Sequence, residues 1–239
     1  MSGCLLAFDT STEWVALALR ARGSDRTRLV PGGAQASATL LPAVRALLDD
    51  AGIGFAALDA IAFGRGPGAF TGLRTSCAVA QGLGFGLGRP LLPLDSLLVV
   101  AEDARRQVAA GVGTFEVGVA MDARMSEVYA GRYRWRDGRW QVLQAPALYT
   151  LPALAAAWAE APPWVAGSAL AAFGDRLALP AGLRHVEAEH DRASALLALA
   201  KRAWEAGDPI DAAAALPLYL RDKVALTTSE REAVREAKA

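Results

Sequence analysis

The sequence predicts an α/β protein made of two duplicated lobes, each holding a mixed sheet. Three observations point there. Short apolar runs bounded by turn residues alternate with segments of helical periodicity. The order of three strands, helix, strand, helix, strand, helix runs once before Gly111-Val112-Gly113 and a second time after it. Each half also opens on an apolar run that ends in an aspartate, Asp9 in the first and Asp122 in the second.

In the first half, Cys4 to Phe8 reads as a strand that meets Asp9-Thr10-Ser11-Thr12-Glu13. Trp14 to Arg20 alternates as a second strand, and Arg26 to Val30 is a third. Ser37 is placed to cap a helix that runs to Asp50, with Leu40, Leu41, Val44, Leu47 and Leu48 on one face. Ile61 to Phe63 is a buried strand, followed by a turn at Gly66-Pro67-Gly68. Proline then glycine suits a type II turn with Gly68 at positive φ. A helix from Phe70 or Thr71 to about Gly86 follows, then the strand Leu91 to Leu94 and a helix capped by Ser96. A helix N-terminus behind a glycine turn exposes unpaired N–H groups and can bind an anion. Gly72, Ser76, Ala80, Gly84 and Gly88 recur at every fourth position. Interior helix glycines cost about 1 kcal/mol each, so something is expected to pack closely against that stripe.

The second half repeats the order. Thr114 to Met121, Glu127 to Trp135 and Trp140 to Leu143 are strands, with an Asp137-Gly138 turn before the last. Leu151 to Ala159 is a helix, Trp164 to Ala166 a strand, Leu170 to Leu177 a short helix and Leu183 to Val186 a strand. The helix Arg192 to Ala206 stops at Gly207, Pro217 to Arg221 is extended, and Ser229 to Ala239 forms a polar helix. A duplicated αβ unit with a hairpin at the head of each half is the architecture of the actin-like ATPase (ASKHA, RNase H-like) fold. The expected lobes are 1–110 and 111–239, the second with a C-terminal extension.

Composition narrows the function. Lys+Arg and Asp+Glu number 25 each, which argues against a self-sufficient nucleic-acid surface. Cys4 and Cys77 show no disulfide or zinc spacing. No charge-free run reaches the ~20 residues of a membrane helix, and no signal peptide is visible, so a cytoplasmic location without membrane contact is expected. The stretch Gly64 to Ala69 matches G-x-G-x-x-A, but no acidic residue lies about 20 residues on. No Gly-Lys-Ser/Thr of a Walker A loop occurs, and no Gly-x-Ser-x-Gly elbow. His185 and His190 lack the spacing of a zinc helix. Two readings of Asp9 remain. It caps its own turn through Asx and hydroxyl hydrogen bonds, or it acts with Asp122 across a cleft as the carboxylates of a nucleotide-dependent phosphotransferase.

Five stretches in order resemble one family: LLAFDTST at Leu5–Thr12, SATLLP at Ser37–Pro42, GRGPGAFTGLR at Gly64–Arg74, MDARMSEVY at Met121–Tyr129 and PLYLR at Pro217–Arg221. They resemble the bacterial TsaB (YeaZ) proteins over nearly the whole chain. The resemblance implies a non-catalytic dimerisation and activating subunit of the complex that makes N6-threonylcarbamoyladenosine next to the tRNA anticodon. It implies a catalytic TsaD-like partner, a TsaE-like ATPase, tRNA reached only through the complex, and a homodimer as the alternative state of the isolated chain. No catalytic residue and no metal ligand are expected. The catalytic paralogue holds its metal with two histidines four apart. The matching helix here, Ser37 to Asp50, has none, and Ala36 stands where many relatives have histidine. Ala166-Gly167-Ser168 carries one glycine where catalytic members have a pair. No tightly bound cofactor is therefore expected. ATP with Mg²⁺ would bind only in the complex, at Asp9, Thr10, Ser11, Gly66 and Gly68. The dimerisation face that the resemblance implies on lobe 1–110 is Gly72, Ser76, Ala80 and Gly84, with the Ser37–Asp50 helix beside it. A peptidase reading has no zinc histidines or nucleophile elbow to support it.

Overall fold

The computed structural model describes residues 3–160, 162–186 and 189–221; the expected helix at 229–239 lies outside them. Among the described residues ten strands form two five-stranded sheets. The first comprises β1 (Leu5–Asp9), β2 (Trp14–Ala21), β3 (Ser24–Pro31), β4 (Ala60–Gly66) and β5 (Leu91–Asp95), in the order β3-β2-β1-β4-β5. The second comprises β6 (Thr114–Asp122), β7 (Glu127–Arg136), β8 (Arg139–Thr150), β9 (Trp164–Ala166) and β10 (Arg184–Val186), in the order β10-β9-β6-β7-β8. Read from the hairpin end, the two orders are the same. In each sheet an antiparallel meander leads into two parallel strands. The duplication read from element order is therefore present in the topology.

The helices are α1 (Ala36–Asp50), α2 (Phe70–Leu87), α3 (Ser96–Val108), α4 (Leu151–Ala157), α5 (Ala169–Phe173) and α6 (Arg192–Ala206). The apolar clusters define the layers. One core joins the first sheet to α1 and α2, through residues such as Phe8, Leu17, Leu40, Leu48 and Phe63. A second joins its other face to α6, through Leu5, Ala62, Leu92, Leu196 and Leu199. A third joins α3 to the second sheet, and a fourth joins that sheet to α4 and α5. Because both faces of the first sheet are covered, β1 is buried along its full length. The edge strand β3 instead alternates between exposed and half-buried residues. α6 belongs to the second half of the chain yet packs on the first sheet. Its first residue thereby reaches the end of β1.

Three local expectations change. Ser37 is not a cap: α1 starts at Ala36, which is buried, and Ser37 is exposed in the first turn. Ser96 does not cap α3: Asp95 does, accepting from the Leu97 amide at 2.8 Å. The turn before α2 is not type II. Gly66 carries the positive φ of 109° and the Gly66–Pro67 peptide is cis, while Gly68 stays outside the left-handed region. Gly68 is pressed against Ser11, where a Cβ would meet the Ser11 carbonyl oxygen at 2.7 Å. The last strand of the second meander is also longer than expected, running on to Thr150.

Candidate functional site

A cleft of about 910 Å³ lies between the lobes, with Ser11, Ser96 and Arg192 deep in it and Trp14, Met125 and Tyr219 toward its rim. Asp9 ends β1 beneath Ser11, Ser96 and Arg192 and is wholly buried. The Ser11 amide donates to its Oδ1 at 2.6 Å, which is the expected Asx turn. Its Oδ2 accepts from Ser96 Oγ at 3.0 Å and from Arg192 Nη2 at 2.9 Å. Arg192 also donates to Ser11 Oγ at 2.9 Å and, through Nη1, to Glu189 Oε2 at 2.6 Å. Gly64 leaves room for this, since a Cβ there would overlap the Asp9 carboxylate. Burial alone would raise the Asp9 carboxyl. The Arg192 guanidinium and the Ser11 hydrogen bonds outweigh it and hold the group below the usual carboxylate range. Arg192 is pushed the other way: burial would lower it, but Glu189 and Asp9 raise it and keep it charged.

The turn after Asp9 is packed beneath the start of α2. Thr10 Oγ1 donates to the Gly72 carbonyl at 2.6 Å, and the Thr10 amide donates to Ser76 Oγ at 3.2 Å. With the Thr10 proton on Gly72, Ser76 Oγ is the donor in the 2.8 Å contact between the two hydroxyls. A Cβ at Gly72 would overlap the Thr10 carbonyl oxygen. Ser11 accepts the Ala69 amide at 2.9 Å. The α2 N-terminus thus faces the chain's own backbone. The structure gathers Asp9, Thr10, Ser11, Gly66 and Gly68 at one place, as the sequence implies. It also turns the first two inward. This arrangement does not fit a Mg²⁺-bound phosphate, because a guanidinium already holds the carboxylate that such a cation would need.

Asp122 ends β6 on the opposite wall. Its Oδ1 accepts the Arg124 amide at 2.8 Å, and its own amide donates to Ser168 Oγ at 3.1 Å. Arg124 reaches across to Glu13 at 3.5 Å. The C-terminal PLYLR stretch crosses the cleft. The Leu218 amide donates to the Arg65 carbonyl at 2.7 Å, while Arg221 contacts Glu127 at 2.6 Å and the Ala123 carbonyl at 3.0 Å.

The small-residue stripe of α2, expected to be a partner face, is covered by this chain itself. Gly72 and Ser76 lie on Thr10, Ala80 is fully buried, and a Cβ at Gly84 would meet that of Ala212 at 2.9 Å. Spacing reveals that something packs close, but not which segment supplies it. Arg192 and Glu189 are not marked by the sequence as site residues, and Ser96 is marked there only as a helix cap. One signal was there: an arginine as the first residue of a helix opposes the helix dipole.

Equivalent lobes with the same strand order, each ending its first strand in an aspartate on its side of a shared cleft, define an actin-like, ASKHA-type α/β protein. The family model described as TsaD, tRNA N6-adenosine threonylcarbamoyltransferase, matches residues 30–227. Among relatives, the tRNA threonylcarbamoyladenosine biosynthesis protein TsaB of Escherichia coli is 31% identical over 231 residues, 92% of this chain and 96% of that protein. The protein of the same name from Haemophilus influenzae is 43% identical over 127 residues, about half of each chain. A crystal structure titled as an uncharacterized protein with similarity to peptidase YEAZ from Pseudomonas aeruginosa superposes with a TM-score of 0.81 at 40% identity, covering 92% of this chain and all of that one. YeaZ from Pseudomonas aeruginosa follows at 0.79 and 38%, covering 91% and 100%. The chain belongs to the TsaD-type family of that model and, within it, to the TsaB (YeaZ) proteins. Among the described residues no helix is long and apolar enough to cross a membrane.

Proposed function

We propose that this chain is a non-catalytic subunit of the machinery that makes threonylcarbamoyladenosine in tRNA, pairing with a TsaD-like catalytic subunit. The names of its relatives support the pathway. The observation that carries the non-catalytic role is the Asp9–Arg192 pair, which buries the carboxylate at the end of β1 beneath the cleft, already neutralised. A TsaE-like ATPase completes the proposed machinery, with ATP and Mg²⁺ held only in the assembled complex and not by the Asp9 carboxylate, which Arg192 occupies. The chain acts in the cytoplasm.

For the partner surface we favour the stripe beside the one the sequence suggested. Arg74, Ala78, Gly82 and Gly86 also recur every fourth residue on α2, and these four are exposed. A Cβ at Gly82 or Gly86 would meet nothing within 4 Å. Their cost in helix propensity, about 1 kcal/mol each, therefore has no cause inside the chain. Phe85 beside them is 63% exposed, and Leu41 of α1 is 44% exposed.

Gly82→Arg tests this reading. It fills open space, so the melting temperature of the isolated chain should hold or rise. Association with the TsaD-like subunit should weaken by roughly tenfold or more, as about 1–3 kcal/mol of overpacking implies, and tRNA modification should fall with it. Titration calorimetry of the isolated wild-type chain should show no ATP–Mg²⁺ binding. Unchanged association in Gly82→Arg counts against the surface. ATP turnover by the isolated chain that disappears in Asp9→Ala favours the phosphotransferase reading.

A further inference from the structure

We propose that the outer face of the β7–β8 hairpin is a docking surface for the phosphate backbone of RNA; the choice of RNA rests on the function proposed above. Alternation along β7 sends Tyr133 and Trp135 into the core and puts Arg132, Arg134 and Arg136 on the other side. Successive arginines of that row are roughly 7 Å apart along the strand, the order of the spacing between neighbouring phosphates. Across the hairpin, Arg139 stands directly opposite Arg136 and Gln141 opposite Arg134.

The charge of this face is unbalanced in a chain whose overall charge is zero. Arg132 and Arg134 share one carboxylate, Glu116, at 2.8 and 2.9 Å. Arg136 has the turn residue Asp137 at 3.4 Å. Arg139 is exposed and makes no ion pair among the described residues. Four arginines thus face two carboxylates. Like charges directly opposite in a hairpin are destabilising, so the Arg136–Arg139 pair works against the fold that carries it. Arg132 and Arg134 are held in place by Glu116, and burial pressure on that carboxyl is outweighed by their hydrogen bonds, which keep it ionised. The result is a fixed inner pair of guanidinium groups with an exposed outer pair at the hairpin tip. A polyanion supplies the missing counter-charge, and guanidinium forks match phosphate oxygens in pairs.

The test titrates fluorescent unmodified tRNA with the full chain assembled with its TsaD-like partner, between about 50 and 200 mM salt. Arg136→Gln/Arg139→Gln should weaken binding about tenfold and lower the slope of log K against log salt by roughly 2. Its melting temperature should stay level or rise, because the like-charge pair is gone. Arg136→Lys/Arg139→Lys should bind like wild type. Equal tRNA affinity in wild type and the glutamine variant overturns the proposal, as does wild type that binds no tRNA. Weaker binding that merely tracks a lower melting temperature also overturns it. So does a glutamine variant that loses its protein partner and keeps tRNA. Omitting the chain from a reconstituted modification reaction examines the underlying reading separately: full-rate modification without the chain defeats that reading, while equal affinities defeat the docking surface alone.

Discussion

At the cleft the β1–β2 turn and the β6–β7 turn occupy equivalent places in the two lobes, and the chain secures them by different means. The first turn is packed from beneath. Gly72 and Gly68 let α2 and its preceding loop touch the backbone of Thr10 and Ser11, and a buried arginine closes the top. The second turn is open. Arg124, Met125 and Ser126 all adopt left-handed backbone, with φ of 64°, 55° and 57°, and none is glycine. Such residues cost roughly 1–2 kcal/mol apiece, and consecutive ones need an external brace. Arg221 supplies it from the C-terminal strap, by bonding the Ala123 carbonyl and the Glu127 carboxylate at the two ends of the turn. One lobe has filled its ligand side with its own chain. The other keeps an exposed, braced loop at the cleft mouth, and strain of this kind concentrates at working surfaces.

The largest effect is expected from breaking the packed side. Arg192→Met strands Asp9 and Glu189, and removing one partner of a buried pair costs about 3–5 kcal/mol. In a chain of this size that lowers the melting temperature by roughly 10 °C. The pH dependence gives a sharper signature. In wild type the Asp9 carboxyl is depressed, so its stabilisation is complete above the ordinary aspartate value of about 4 and is lost as pH falls through the lower folded value. Without Arg192, burial raises the carboxyl instead, and protonation then relieves the variant. Thermal melts from neutral pH down to about 4 should show the gap between the two proteins narrowing. A gap that widens on acidification would mean that Arg192 does not govern Asp9.

An intermediate effect is expected on the open side. Arg221→Ala removes a 2.6 Å ion pair and a carbonyl hydrogen bond from a guanidinium that is 13% exposed. Hydrogen bonds to charged groups contribute about 1.5–3 kcal/mol; partial solvent access on the Glu127 side places this one at the lower end. Hydrogen exchange should speed up in the Ala123–Ser126 turn and leave the β1–β2 turn unchanged. Equal acceleration of both turns would show that the strap holds the lobes together rather than bracing one loop.

Much of this contrast lay beyond the sequence, for reasons of distance. The elements were legible because both hairpins, the parallel strands and α6 carry strong local patterns; α6 runs from Arg192 to Ala206, as its periodicity and Gly207 indicate. The stripe on α2 was legible as a close contact. Its partner was not, since Thr10 lies 62 residues from Gly72 and no spacing rule connects them. Arg192 is 183 residues from Asp9 and became visible only once α6 was seen to pack on the first sheet. The caps of α1 and α3 shifted by one or two positions because burial of Ala36 and the demand of Asp9 on Ser96 outweighed local capping preference. The left-handed turn at Arg124–Ser126 has no glycine to announce it.

The smallest effect is also the most diagnostic, because the same substitution should act with opposite signs in the two turns. Ser126→Gly removes the Cβ that disfavours a φ of 57°, a relief of about 1–2 kcal/mol. Against it stands the greater freedom of glycine in the unfolded chain, about 0.4–1 kcal/mol. The balance is a gain of roughly 0.5–1 kcal/mol, which urea denaturation can resolve. In the first turn no residue from Thr10 to Glu13 has positive φ, so Thr12→Gly brings the entropic cost with no relief of backbone strain. It also forfeits the contacts of Thr12 Oγ1 with the Trp14 amide and carbonyl, at 3.2 and 3.3 Å. That variant should lose about 0.5–1 kcal/mol. If both glycine variants are destabilised alike, the second turn is not held against its own preference, and the role assigned to Arg221 as its brace falls with it.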